Sequence, residues 1–241
     1  MNVFIFAGSK GGSARTVSSV LLTAGLRELG FSPVHAQLVP DGTPPFLGRV
    51  EGLPFAVVWT RSGNMSAVEA VLDASSSRGA AHSHVIIDTP AQPIRKVLAY
   101  AAGARARILL PMRDGVQEIE RLLHDLHEIG EETSASDEPL PKASILPVGW
   151  PSSLRPKDYA DILSRRGLKP GSVPALSVIH PGIPSLDPLD LDFQDDANRF
   201  ILTDQQQDAA IRLAEAVLRA NGEPPSIHFP YDGSVAGSTS E

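Results

Sequence analysis

Short apolar runs alternate along this chain with stretches whose apolar residues return every three or four positions. Val3-Phe4-Ile5-Phe6-Ala7 is the first run, a strand, and Val17 to Leu29 is the first helix. In that helix Val17, Val20, Leu21 and Ala24 share one face, and Leu22, Leu26 and Leu29 an adjoining one. Further strands are expected at Phe55 to Trp59, His84 to Pro90, Arg107 to Met112, Ala143 to Val148 and Leu176 to Ile179. Helices are expected at Ala67 to Ser75, at Val116 to Ile129 and at Asp208 to Ala220. The second of these sets Ile119, Leu122, Leu123, Leu126 and Ile129 on one side, and the third carries Ile211, Leu213, Ala214, Val217 and Leu218. Glu131 to Lys142 is polar and contains proline, which predicts a mobile surface loop. This alternation predicts an α/β fold, a doubly wound and mainly parallel sheet flanked by helices. Residues 1–220 read as one domain, and the polar residues 221–241 as a flexible C-terminal tail.

The chain has 241 residues, enough for one such domain with a substantial core. It has no cysteine, which excludes disulfides, thiolate metal sites and cysteine nucleophiles. The N-terminus opens directly into a core strand, so no signal peptide is expected, and no apolar run reaches the length of a membrane span. A cytoplasmic protein is the expectation.

The chemistry starts between the first strand and the first helix, at Lys10-Gly11-Gly12-Ser13-Ala14-Arg15-Thr16. Strand, small-residue turn and helix N-terminus together point backbone N–H groups and the positive helix end at a phosphate. Against the usual G-x-x-x-x-G-K-[ST] pattern, Ser9 and Ala14 stand for the glycines, Arg15 for the lysine, and only the hydroxyl of Thr16 is kept. A plain Gly/Ser turn is the competing reading of the loop taken alone. The loop resembles K-G-G-x-G-K-[ST], the deviant Walker A motif of the ParA/MinD ATPases, which partition plasmids and chromosomes and place division machinery. Lys10, Gly11, Gly12 and Thr16 stand where that family has them, and Ala14 and Arg15 depart from it. His84 to Pro90, closing in Asp88-Thr89-Pro90, resembles the family's Walker B strand, although an Asp at a strand end is also a common cap. Arg107 to Met112 resembles the next family strand, an apolar run ending near a proline.

The resemblance implies a homodimer formed on ATP binding, in which Lys10 reaches the partner's nucleotide and so takes a catalytic role. It implies a phosphate cradle at Lys10, Gly11, Gly12, Ser13, Ala14, Arg15 and Thr16, with Mg²⁺ held near Thr16 and Asp88 and ATP or ADP as the nucleotide. Counting from Gly30, Pro40 and Gly42 fall on the family's Asp-x-Asp-Pro-Gln-Gly segment, but Gln37 and Val39 replace its two aspartates. Gln37 could still hold a water by hydrogen bonding, without supplying negative charge, and Val39 can do neither. Arg15 keeps the charge of a lysine but not its shape. Pro147 stands near the position of an adenine-binding Asn in the family. Nucleotide binding with slow or absent hydrolysis is therefore expected.

Other residues receive plainer readings. His124 and His127 are exposed-face histidines, and the acidic run at Asp187, Asp190, Asp192, Asp195 and Asp196 lacks the Ca²⁺-loop pattern. The tail has no basic amphipathic helix, so no membrane docking is expected. The net charge of −7 argues against strong DNA binding; Arg95, Lys96, Arg105, Arg107, Arg155, Lys157, Arg165, Arg166 and Lys169 are candidate pieces of a local patch, with a solvated surface the plainer reading of each. Three functions remain: a ParA-like nucleotide switch working with a partner protein, a degenerate P-loop acting as a nucleotide-independent interaction module in plasmid stability or conjugative transfer, and an unrelated α/β enzyme.

Overall fold

The computed structural model describes residues 1–9, 14–48, 50–61, 82–103, 106–135, 141–169, 171–173, 176–186, 193 and 197–222. Its strands are β1 (Asn2–Phe6), β2 (Pro33–Val39), β3 (Ala56–Arg61), β4 (His84–Asp88), β5 (Arg107–Arg113), β6 (Ala143–Val148) and β7 (Ser177–Val178). They form one sheet in the order β3-β2-β4-β1-β5-β6-β7, and every pairing is parallel. The helices among the described residues are α1 (Arg15–Glu28), α2 (Ile94–Gly103), α3 (Val116–Ala135), α4 (Pro156–Arg165) and α5 (Asp204–Asn221).

Side chains alternate between the two faces of each strand, and both faces are covered, so the central strands are mostly apolar, with buried polar residues such as Gln37, Asp88 and Arg107 at or near their ends. Val3, Ile5, Val85, Ile87, Ile108 and Leu110 pack under α2, α3 and α4. Phe4, Phe6, Ile86, Leu109 and Leu146 pack under α1 and α5. Helices α1 and α5 cross closely at Gly25, where an added Cβ would lie 1.9 Å from the Ala210 carbonyl oxygen. From β1 the chain winds first toward β3 and then, after β4, toward β7. Open parallel sheets bind ligands beyond the carboxyl ends of the strands at such a reversal.

Several boundaries differ from expectation. Helix α3 runs six residues past Ile129, so the first part of the expected loop at Glu131 to Lys142 is helical. Thr133 and Ser134 hydroxyls bond the carbonyls of Ile129 and Gly130, and Arg95 of α2 pairs with Glu131 and Glu132. Helix α5 starts at Asp204 because Thr203 and Gln206 form a reciprocal capping box, and it runs through Asn221 to a left-handed Gly222. The expected helix at Ala67 to Ser75, the acidic residues Asp187, Asp190, Asp192, Asp195 and Asp196, and the tail beyond Gly222 lie outside the described residues.

Candidate functional site

Parallel register sets three residues side by side at the carboxyl edge of the sheet: Phe6 of β1 and Gln37 of β2 flank Asp88 of β4. The N-terminus of α1 stands over this edge. Its N-cap is Ala14, which makes no side-chain cap, and its first turn has no acidic residue. The first amides and positive end of α1 therefore keep no carboxylate of their own, which suits an anion. Ala14 sits at φ 61°, a left-handed conformation that favours glycine and costs a non-glycine residue roughly 1–2 kcal/mol. The phosphate motif has a glycine at this position. Lys10, Gly11, Gly12 and Ser13 lie outside the described residues, so of the expected cradle the structure places Ala14, Arg15 and Thr16.

The Thr16 hydroxyl donates to Asp88 Oδ2 at 2.7 Å. Burial pushes the Asp88 carboxyl up to about 6, against the Thr16 hydrogen bond, the charge of Arg15 and the nearby Gln37 amide, which favour its ionised form. Asp88 Oδ1 is buried without a protein partner. A hydroxyl and a carboxylate with one spare oxygen fit a Mg²⁺ held by few protein atoms, its remaining positions being left to water and phosphate. Among the described residues no group of three or more His, Asp or Glu is gathered to hold a metal alone.

Arg15 is buried. One guanidinium nitrogen, Nη1, donates to the carbonyls of Gly8 and, at 3.1 Å, Pro90, tying the end of β1 to the segment after β4. Burial lowers its pKa, while Asp88 and Asp125 raise it. Gln37 is also committed, for its Oε1 accepts the Phe46 N–H at 2.8 Å. Val39 is in the core.

Asp125 of α3 also stands beside this candidate site, and it was not among the residues expected there. Its Oδ2 accepts the Ser9 N–H at 3.1 Å, and its Oδ1 has no protein partner. Burial raises its pKa, against hydrogen bonds from Ser9. It borders a cleft of about 20 Å³, room for one water, with Gly8, Glu118 and Arg121. The signal was present in the sequence: Asp125 stands three residues after Leu122 and four before Ile129, on the stripe that α3 buries.

Elsewhere on the same edge, Pro147, Trp150, His180 and Pro184 line a cleft of about 310 Å³ between β6 and α5. Arg107 does not belong to a surface patch, as the sequence reading had it. It is 5% exposed at the opposite edge of the sheet, bonded to Ser144 Oγ and the Ala220 carbonyl. Arg95 is paired with acidic residues of α3. No helix among the described residues is long and apolar enough to cross a membrane.

No protein-family model matches the chain, and no curated protein matches it in sequence. Solved structures match it in fold. The MinC:MinD cell division protein complex of Aquifex aeolicus contains a chain 18% identical, aligned over 96% of this chain and 99% of that one with a TM-score of 0.59. The pNOB8 ParA bound to nonspecific DNA is 12% identical over 92% and 98%, with a TM-score of 0.55. Cobyrinic acid a,c-diamide synthase of Mycobacterium smegmatis, with bound ADP and magnesium, is 19% identical over 92% and 96%, with a TM-score of 0.52. The fold of this chain is thus the ParA/MinD-like P-loop fold. At these identities the likeness carries the fold and not the activity.

Proposed function

We propose that this protein is a nucleotide-binding switch of the ParA/MinD kind, serving partitioning or cargo positioning, with weak or absent ATP hydrolysis. The observation that carries this reading is the Thr16–Asp88 hydrogen bond beneath an uncapped helix N-terminus, at the switch point of a P-loop fold. Backbone amides of residues 11 to 16 would hold the phosphates, with the Arg15 guanidinium engaged on the Gly8 and Pro90 carbonyls beside them. Thr16 and Asp88 would hold Mg²⁺, which neutralises phosphate oxygens when bound.

Hydrolysis needs a positioned water and charge stabilisation. Gln37 brings no charge and spends its carbonyl oxygen on Phe46, and Val39 offers no polar atom, so turnover is slow. Lys10 would complete a nucleotide-dependent homodimer. The structural neighbours named in complex with MinC and with DNA make a partner protein, and weakly DNA, the partners to test.

A nucleotide-independent interaction module is the second reading, favoured by the commitment of Arg15 to two backbone carbonyls. Calorimetry with ATP separates the two. The switch reading expects tighter binding in Mg²⁺ than in EDTA, with the difference removed by Thr16→Val. Failure to bind in either condition favours the module.

A further inference from the structure

One peptide unit, Gly8–Ser9, is gripped at both ends by opposite charges. Its carbonyl accepts from the Arg15 guanidinium, and its N–H donates to the Asp125 carboxylate at 3.1 Å. A trans peptide sets its C=O and N–H on opposite sides, so the two charged groups lie across the peptide from each other, each at the end of the peptide dipole that it stabilises. Both residues are buried, Arg15 at 8% and Asp125 at 4% exposure, so neither interaction is weakened by full solvent screening. Asp125 comes from α3, whereas Arg15 opens α1, and the clamp therefore fastens the entry of the phosphate loop to a helix on the other face of the sheet.

We propose that Asp125 is a positioning residue: by fixing the Gly8–Ser9 peptide it keeps the Arg15 guanidinium on the Gly8 and Pro90 carbonyls and withholds it from phosphate. The inference rests on the nucleotide-binding reading of the loop. Without the carboxylate the peptide is free to turn, the Gly8 carbonyl leaves the guanidinium, and Arg15 becomes available to an anion at the N-terminus of α1. The buried, unpartnered Asp125 Oδ1 fits a residue kept for its charge at the loop and not for packing. Neutralising it also removes a negative charge close to the phosphate site, so a rise in affinity alone would not separate the two causes.

A double-mutant cycle separates them. ATP affinity in Mg²⁺ is measured by calorimetry on the native chain, Asp125→Ala, Arg15→Met and the double variant, with thermal midpoints taken alongside. Asp125→Leu, which removes the acceptor for the Ser9 N–H while filling most of the buried volume, replaces Asp125→Ala if that chain does not fold. The proposal expects Asp125→Ala to bind ATP more tightly. It also expects Arg15→Met to cost about tenfold more affinity in the Asp125→Ala background than in the native one, a coupling within the usual range. Where the native chain is silent, a gain in Asp125→Ala that the double variant loses supports it, and a gain that the double variant keeps overturns it. Equal costs of Arg15→Met in the two backgrounds overturn the clamp and leave the nucleotide reading standing. No binding by any of the four chains overturns the nucleotide reading, and the clamp's role with it.

Discussion

Replacing Asp88 by asparagine should make this protein more stable at neutral pH, and the size of the gain follows from where the carboxylate sits. The residue is 3% exposed, one carboxylate oxygen has no protein partner, and burial lifts its pKa from 3.8 to about 6. The folded state therefore takes up a proton before the unfolded chain does. The contribution of this group to stability is fully present below pH 3.8 and is lost as pH rises through about 6. A gap of about two units is worth about 3 kcal/mol at 1.36 kcal/mol per unit. The replacement amide is neutral at every pH and still offers an oxygen to the Thr16 hydroxyl. Urea unfolding followed by tryptophan fluorescence should find Asp88→Asn more stable by up to about 3 kcal/mol at pH 7.5, with the difference vanishing near pH 4. An Asp88→Asn chain no more stable than the native one at pH 7.5, or a difference that does not shrink on acidification, would falsify the reasoning. A carboxylate held ionised at such a cost is what a cation-binding role requires.

Three further outcomes follow from buried geometry. His35 is wholly buried, with its pKa lowered by burial from 6.5 to about 4, so it withdraws up to about 3 kcal/mol of stability as pH falls between those values. This acid-side loss opposes the Asp88 contribution, and it should stand out in the Asp88→Asn chain and disappear on adding His35→Gln. Gly25→Val should lower the thermal midpoint through an overpacking cost of about 1–3 kcal/mol or more, because its Cβ would run into the Ala210 carbonyl. An unchanged midpoint would mean that α1 and α5 can part freely. Arg107→Met should destabilise by about 1–3 kcal/mol, since Ser144, Ser177 and the Ala220 carbonyl lose their donor at the edge opposite the phosphate loop. ATP affinity should not move, and a change there would contradict a purely structural role for Arg107.

Strands β1 and β4 were legible because both faces of the sheet are covered, which writes them as nearly unbroken apolar runs, whereas β2, interrupted by His35 and Gln37, was not among the expected strands. Val3 to Ala7 and His84 to Asp88 could be read on sight for that reason. Helix ends were less legible where side chains decide them locally. The Thr203–Gln206 capping box adds a first turn to α5, and the back-bonding hydroxyls of Thr133 and Ser134 carry α3 into a stretch whose polarity reads as loop. At the site, residue spacing identified Thr16 and Asp88, because the motif encodes a strand, a turn and a helix in fixed order. Which groups the Arg15 and Gln37 side chains would meet was not encoded there. Their partners, Gly8, Pro90 and Phe46, are set by how the loops fold back over the sheet edge. Asp125 was concealed differently. It lies more than a hundred residues from Ser9 in sequence, and only the packing of α3 brings the two together.

The most direct test of the switch reading is ATP binding with Mg²⁺ by calorimetry on the native chain and on Lys10→Ala, with molecular mass measured in the same solutions. The expected result is ATP binding accompanied by dimer formation, ADP binding without it, and loss of the ATP-dependent dimer in Lys10→Ala. No binding at millimolar nucleotide, or a mass indifferent to it, would contradict the switch reading and turn attention to protein partners.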